Sequence, residues 1–412
     1  MKRIAFITLM ASLLFFAVRI IPYFNRPTPG FIVAYAAGKM LSAGHDMRIL
    51  YDRKEFAEIA PALAGVPIGD IYSANTPILP IFFLPFSLAP AGAAKVVWEL
   101  FSLACVALSL ALLYDYFRFG RTERMMLTAL AFALTPLYFN FVWGQLYAFL
   151  LLLHVVILHY WRKEKMAAAG GALALLITVK GYGLPMLLLA LIRREYRLIG
   201  WTVSIAALLV AGSIAWIGTG PWLAYSSVMT GVMSSLPAAA PFQQTLGSLV
   251  SWFFVRDEWN ANPIADLPFL VRPLLGSFVV AGIVLLTKLG RTRSRAGFDM
   301  AFSAAIILNV ITAPLLFEYH YTLLLIPILA CFAYLARMRW QGGAVAFGAA
   351  LLLLLPKIPY YDAGFQKYAF GVPDFPRVYG SLILLWICWK IAAYAPELTE
   401  RESSPALEAA LA

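Results

Sequence analysis

Apolar runs alternate with short polar turns along nearly the whole chain, with neither heptads nor the strict in-and-out alternation of a membrane barrel. The pattern predicts spanning helices, which satisfy their own backbone hydrogen bonds in lipid. The first run, residues 4 to 23, follows Lys2 and Arg3 and ends at Ile21-Pro22-Tyr23 without a small-residue cleavage site. It is longer than a signal-peptide core, so it reads as a retained signal anchor with the N-terminus inside.

Residues 24 to 75 then form a long outer loop, with short helices expected on the membrane surface over 31 to 43 and 53 to 60. The stretch TPILPIFFLPFSLAP, broken by prolines, predicts a re-entrant or broken helix, and 92 to 114 crosses inward. Residues 126 to 142 go out and 146 to 161 return around the turn Trp143-Gly144-Gln145. The run from 166 to 192 has basic clusters at both ends and Lys180-Gly181-Tyr182-Gly183 in its middle, which predicts two half-helices dipping in from the cytoplasm. After it, 198 to 218 goes out, an outer loop runs to about 267, and 268 to 287, 298 to 316, 321 to 336, 343 to 356 and 379 to 394 alternate in and out. The result is an all-α, polytopic bundle of about ten crossings, or up to about thirteen helical segments. It forms one membrane domain over residues 1 to 396, followed by a polar, disordered cytoplasmic tail from 397 to 412.

Composition agrees: 62% of residues are hydrophobic, only 13% are charged, and mean hydropathy is +0.79, which no water-soluble core accommodates. The net charge of +11 does not indicate nucleic acid, because the basic residues sit in short clusters between apolar runs and mark the cytoplasmic side. Cys105, Cys331 and Cys388 all lie within apolar runs and read as packing residues. No spacing of residues asks for a metal or another cofactor.

On this topology the outer side collects the 24 to 75 loop, Gln145, the PFQQTLGSL segment, the EYHY turn and the loop KIPYYDAGFQKYAFGVPDFPR. Asp46 is a loop carboxylate able to take a proton, with Asp52 and Asp70 as weaker versions, although helix capping explains such residues equally. Lys180, inside an apolar hairpin, calls for an anion or water, unless it snorkels to an interface. His320, between Tyr319 and Tyr321, suits a phosphate contact, and Glu318 a base; an interfacial aromatic belt with incidental polar neighbours is the plain alternative. Gln145, Gln243 and Gln244, with Tyr319 and Tyr321, are candidates for sugar hydroxyls, while Lys39 and Arg48 are candidate anion contacts. His154 and His159 read as interhelical hydrogen-bonding groups, and Glu99 as the partner of Lys95 one turn before it.

The order of these features resembles glycosyltransferase family 87, the polyprenol-phosphate-mannose-dependent mannosyltransferase relatives with a GT-C fold. The stretches that carry the resemblance are FIVAYAAGKMLSAGH with LYD, YSANTPILPIFFLPFSLAP, the WGQ turn, AAAGGALALLITVKGYGLPMLLLALI, PFQQTLGSL and APLLFEYHYTLLLIPIL. It implies an inverting transfer of a hexose, by default mannose, from a polyprenyl-phosphate donor to a lipid or glycan acceptor at the outer face of the bacterial inner membrane. The implied site has a carboxylate base (Asp46 or Glu318), cations on the leaving phosphate (Lys180, His320, Lys39, Arg48) and polar sugar contacts. One departure stands out. The resemblance places an acidic residue directly before the aromatic Phe31, and this chain has Gly30. A silent relative that binds lipid-linked sugar, or a transporter of such a lipid, are the alternatives.

Overall fold

The computed structural model describes residues 2–72, 75–358 and 374–394. Part of YSANTP, most of the loop after 357 and the tail from 397 lie outside the described residues. Among the described residues there are α-helices and 3-10 turns and no strands. The helices are α1 (Lys2–Ile20), α2 (Pro29–Ser42), α3 (Arg53–Ala64), α4 (Leu79–Ser87), α5 (Ala91–Phe117), α6 (Arg121–Ala133), α7 (Thr135–Trp143), α8 (Tyr147–Arg162) and α9 (Met166–Lys180). They continue with α10 (Leu184–Ile192), α11 (Tyr196–Ile217), α12 (Gly220–Ser234), α13 (Leu246–Phe254), α14 (Val271–Gly290), α15 (Arg295–Ile311), α16 (Leu325–Met338), α17 (Gln341–Leu354) and α18 (Pro376–Ala393).

Five described helical stretches are long and apolar enough to cross a membrane: Lys2–Tyr23, Ala91–Phe117, Tyr196–Ile217, Pro268–Gly290 and Glu318–Met338. The bent pair of α6 and α7 makes a sixth if it counts as one span, and α8, α9 and α17 are shorter apolar helices. Large apolar side chains point outward, among them Ile7 and Leu14 on α1, Leu208 and Trp216 on α11, and Val280 and Val284 on α14. That much exposed hydrocarbon is a liability in water and the expected coat of a protein in lipid.

The chain divides into two compact units. The first comprises Met1–Leu184 with Tyr196–Ser235, and the second Pro185–Glu195 with Leu236–Ala412. In the first, α1 packs on α6, α2 on α4, α5 on α8, and α9 between α8 and α11. In the second, α15 and α17 both pack on α18, and α14 joins α15. Within that unit Arg193 donates to the carbonyls of Gly290 (2.9 Å) and Thr292 (3.1 Å).

Several expectations change. The run 126 to 142 is not one straight helix: α6 ends at Ala133 and α7 restarts at Thr135-Pro136 with a 55° bend. Pro136 has no N–H to continue the ladder but suits the first turn of α7, and the break falls at Leu134, whose backbone is extended (φ −65°, ψ 119°). The segment up to 267, expected as a loop, contains α12 and α13, the latter capped by Thr245 accepting from the Ser248 N–H at 2.9 Å. The helix expected to lie on the membrane surface at 31 to 43 is instead a core element, with Phe31 through Gly38 all buried against neighbours that include α4. His154 bonds within its own helix, to the Leu150 carbonyl at 2.7 Å, rather than across helices. The run from 166 to 192 does break where expected: Gly181 (φ 73°) and Gly183 (φ 107°) both hold left-handed backbone that a side chain resists.

Candidate functional site

The first unit draws the outer loop onto the end of α9. Asp52 caps α3 by accepting from the N–H groups of Lys54 and Glu55, and Asp46 caps the 3-10 turn Met47–Tyr51 by accepting from Arg48. That turn carries Tyr51, whose hydroxyl donates to the Asn75 carbonyl at 2.9 Å. Asn75 in turn accepts Lys180 Nζ on its side-chain Oδ1 at 2.5 Å, and Thr76 Oγ1 donates to the Val179 carbonyl at 3.0 Å. Buried Tyr72 donates to the Thr76 carbonyl at 2.7 Å. The rings of Tyr72 and Tyr225 pack against Tyr51 at 5.7 and 5.9 Å. Lys180 therefore sits half-buried at a helix break, hydrogen-bonded to the Asn75 amide oxygen, with the Asp70 carboxylate near enough to act on its charge.

Burial pushes the hydroxyls of Tyr51 and Tyr72 well above the usual phenol range, so they act as donors and never as phenolates. Arg48 folds its guanidinium onto Asp46 (2.5 Å) and lays its stem over Gly220, where a Cβ would come within 2.7 Å of Arg48 Cδ. The Arg48 hydrogen bonds hold the Asp46 carboxyl below its usual range, which makes it a weak base. Lys39 lies on α2 with its ammonium 5.8 Å from the Tyr35 ring centre.

Gln145 lies elsewhere in the same unit, against the first turn of α2. A Cβ at Gly30 would collide with the Gln145 side-chain amide and would stand 2.6 Å from the Trp143 carbonyl oxygen. The place of the carboxylate expected from the resemblance is therefore filled by the WGQ turn.

In the second unit Gln244 is fully engaged. Its Nε2 donates to the carbonyls of Pro241 (2.5 Å) and Asp374 (2.6 Å), its Oε1 accepts the Arg377 N–H (3.0 Å), and its own carbonyl accepts from Tyr321 (2.5 Å). Glu318 is buried and paired with Arg377, whose guanidinium also donates to the carbonyls of Leu353 and Pro356. These groups lock the start of α18 to the EYHY turn, and Gln244, Tyr321 and Glu318 are committed to that lock. His320 Nδ1 meets the backbone of Phe317, accepting from its N–H at 3.0 Å. From His320 a run of rings leads outward through Tyr319 (4.8 Å), Phe317 (5.8 Å), Phe242 (6.0 Å) and Trp259 (4.8 Å). Gln243 is half-exposed beside Phe242.

Sequence reasoning missed Asn75, Tyr51, Tyr72, Tyr225 and Arg377. Arg377 carried a signal: a lone arginine opening an apolar run on the expected outer side, against the charge rule, needs a protein partner. The tyrosines looked like ordinary interfacial aromatics.

A helical chain with several helices long and apolar enough to cross a membrane, and with large apolar side chains exposed along them, is an integral membrane protein. Residues 74–317, more than half of the chain, match glycosyltransferase family 87, and the chain belongs to that family of membrane glycosyltransferases. The match contains Gln145, Lys180, Gln243 and Gln244 and leaves outside it the first-loop residues up to 73 and the EYHY turn. No curated protein and no solved structure matches the chain significantly.

Proposed function

We propose that the protein transfers a hexose, with mannose the first candidate, from a polyprenyl-phosphate carrier to a lipid or glycan acceptor at the outer face of the bacterial inner membrane. In this reading it is a multi-pass protein with cytoplasmic termini. The observation that carries the reading is Lys180. An ammonium at the break between two apolar helices, hydrogen-bonded to a neutral amide and acted on by the Asp70 carboxylate nearby, is well placed for a further anion, and a lipid-borne phosphate brings one.

In the transfer the acceptor hydroxyl attacks the anomeric carbon as the bond from that carbon to the phosphate oxygen breaks. Lys180 stabilises the charge that develops on the phosphate, with Arg48 and Lys39 as further cations of the same unit. The hydroxyl proton passes to a carboxylate. Asp46 is the candidate with access to solvent, since Glu318 is enclosed by Arg377. His320, Tyr319 and Gln243 are the second unit's candidates for phosphate and sugar contacts.

A silent, lipid-linked-sugar-binding protein is the second reading, favoured by the absence of space for a side chain at Gly30. The deciding experiment measures binding and transfer of a labelled polyprenyl-phosphate hexose by purified protein, beside Lys180→Met and Asp46→Asn. The catalytic reading expects Lys180→Met to weaken donor binding roughly 10- to 100-fold and Asp46→Asn to abolish transfer with binding intact. Tight binding with no transfer by the unaltered protein would select the silent reading, and unchanged binding by Lys180→Met would remove the phosphate role.

A further inference from the structure

The pairing expected of Lys95 and Glu99 on α5 does form. Both are fully enclosed, at 0% and 1% side-chain exposure, within a helix long and apolar enough to span the membrane. A buried ion pair contributes little net stability, because desolvation offsets the attraction. This one is also incompletely satisfied, since Glu99 Oε2 has no protein partner among the described residues. Stability alone does not account for it.

What the pair touches is specific. Lys95 Nζ, besides meeting Glu99, donates to the carbonyl of Phe141 at 3.2 Å, near the end of α7. Trp98, on the same helix, donates its indole N–H to the carbonyl of Gly144 at 3.0 Å. Gly144 has left-handed backbone (φ 64°), and a Cβ there would come within 2.6 Å of Phe31 Cβ and 2.9 Å of Lys95 Nζ. The Gln145 N–H closes the turn on the Asn140 carbonyl at 2.8 Å, and Asn140 Oδ1 accepts from the Tyr147 N–H at 2.9 Å. The turn is thus gripped at Phe141 and Gly144 from α5, and its outer residue, Gln145, rests against Gly30 at the start of α2.

We infer that Lys95 and Glu99 are positioning residues that hold the Trp143–Gln145 turn so that Gln145 presents its amide to the sugar of the lipid-linked donor. This rests on the reading of Gln145 as a sugar contact. The pair acts through the turn and touches no substrate. Lys95 ties the carbonyl of Phe141 to α5, and Glu99, one turn on, keeps that ammonium charged and aimed.

The test compares Lys95→Met/Glu99→Leu with Gln145→Ala and with the triple variant, each reconstituted in lipid, for binding of a labelled polyprenyl-phosphate hexose and for unfolding temperature. Apolar replacement of both partners leaves a fold near neutral in stability or better, so the double variant separates positioning from folding. The inference expects the double variant to keep its unfolding temperature yet to bind the donor roughly tenfold more weakly, with Gln145→Ala similar and the triple variant no worse than either. Donor binding by the double variant within twofold of the unaltered protein, while Gln145→Ala is weakened, would overturn the inference and leave the sugar contact standing. Unchanged binding by Gln145→Ala would remove the contact itself and the inference with it. If the double variant does not fold, Glu99→Gln is the second probe: it removes the charge that pairs with Lys95 and is expected to weaken binding about tenfold, as the double variant does, while binding within twofold of the unaltered protein would overturn the positioning role.

Discussion

Gly30→Ala is the smallest change that challenges the account of the α2 start. A Cβ at this place lies 2.6 Å from the Trp143 carbonyl oxygen, where ordinary contact begins near 3.4 Å, so the backbone of the turn must give by about 0.8 Å while the Gln145 amide swings aside. Overpacking of this kind costs about 1–3 kcal/mol. Loss of glycine's freedom in the unfolded chain returns about 0.4–1 kcal/mol, leaving a net destabilisation of roughly 1–2 kcal/mol. In a Gln145→Ala background the amide contacts vanish and only the carbonyl remains, so the cost should fall by about 1 kcal/mol, a coupling expected for residues in contact. Reversible unfolding in mixed micelles measures all four corners of this cycle. Equal stability of Gly30→Ala and the unaltered protein, or an equal cost in both backgrounds, would refute the packing described. Gly30→Asp extends the test to chemistry: it should fold less well without gaining transfer, and an activated, fully stable variant would show that the pocket accepts a carboxylate after all.

Three further outcomes are expected. Arg377→Met strands Glu318 without its cation and releases two carbonyls, so it should cost about 3–5 kcal/mol of stability, whereas Arg377→Met/Glu318→Leu should recover most of that loss in the same unfolding assay. Because Arg48 lowers the Asp46 carboxyl, any stability it lends is present above the unfolded value and fades as pH falls through the folded one; the part of stability that Asp46 contributes should therefore stay flat from pH 8 to about 5. An acid limb in stability near pH 6 that disappears in Asp46→Asn would contradict this. Finally, all three native cysteines are buried, so a cysteine at exposed position 46 should react with an impermeant maleimide from outside intact cells and one at exposed position 164 only after permeabilisation; the reverse pattern would invert the proposed topology.

The sequence disclosed the architecture where a single physical rule dominated. Apolar length and basic turns placed α1, α5, α11 and α14 within a few residues, and the Lys180-Gly181-Tyr182-Gly183 interruption located the break between α9 and α10 because glycine is the residue that takes left-handed backbone at little cost. The rules failed where tertiary packing overrode them. The α2 segment reads as a surface helix from its modest length, yet α4 and its other neighbours bury it. At the site, Lys180 was legible because a charge in an apolar run is costly. Asn75 was not, since an asparagine near a proline reads as a turn residue until a lysine 105 positions away is found on its side chain. Gln244 looked like a ligand contact and is instead a bracket, a distinction that depends on which main-chain groups lie within its reach.

The clasp between the first outer loop and the end of α9 also bears on the order in which the protein is made. Thr76 and Asn75 find their partners, Val179 and Lys180, 103 and 105 residues further along the chain. During synthesis the loop emerges early and has to wait, unlatched, until six more helices, α4 through α9, have been produced. Contacts of such long sequence separation form late. The nascent chain would then hold the first outer loop in an open state during the interval when it is most accessible to proteases and chaperones, and the last turn of α9 would be the signal that ends that exposure.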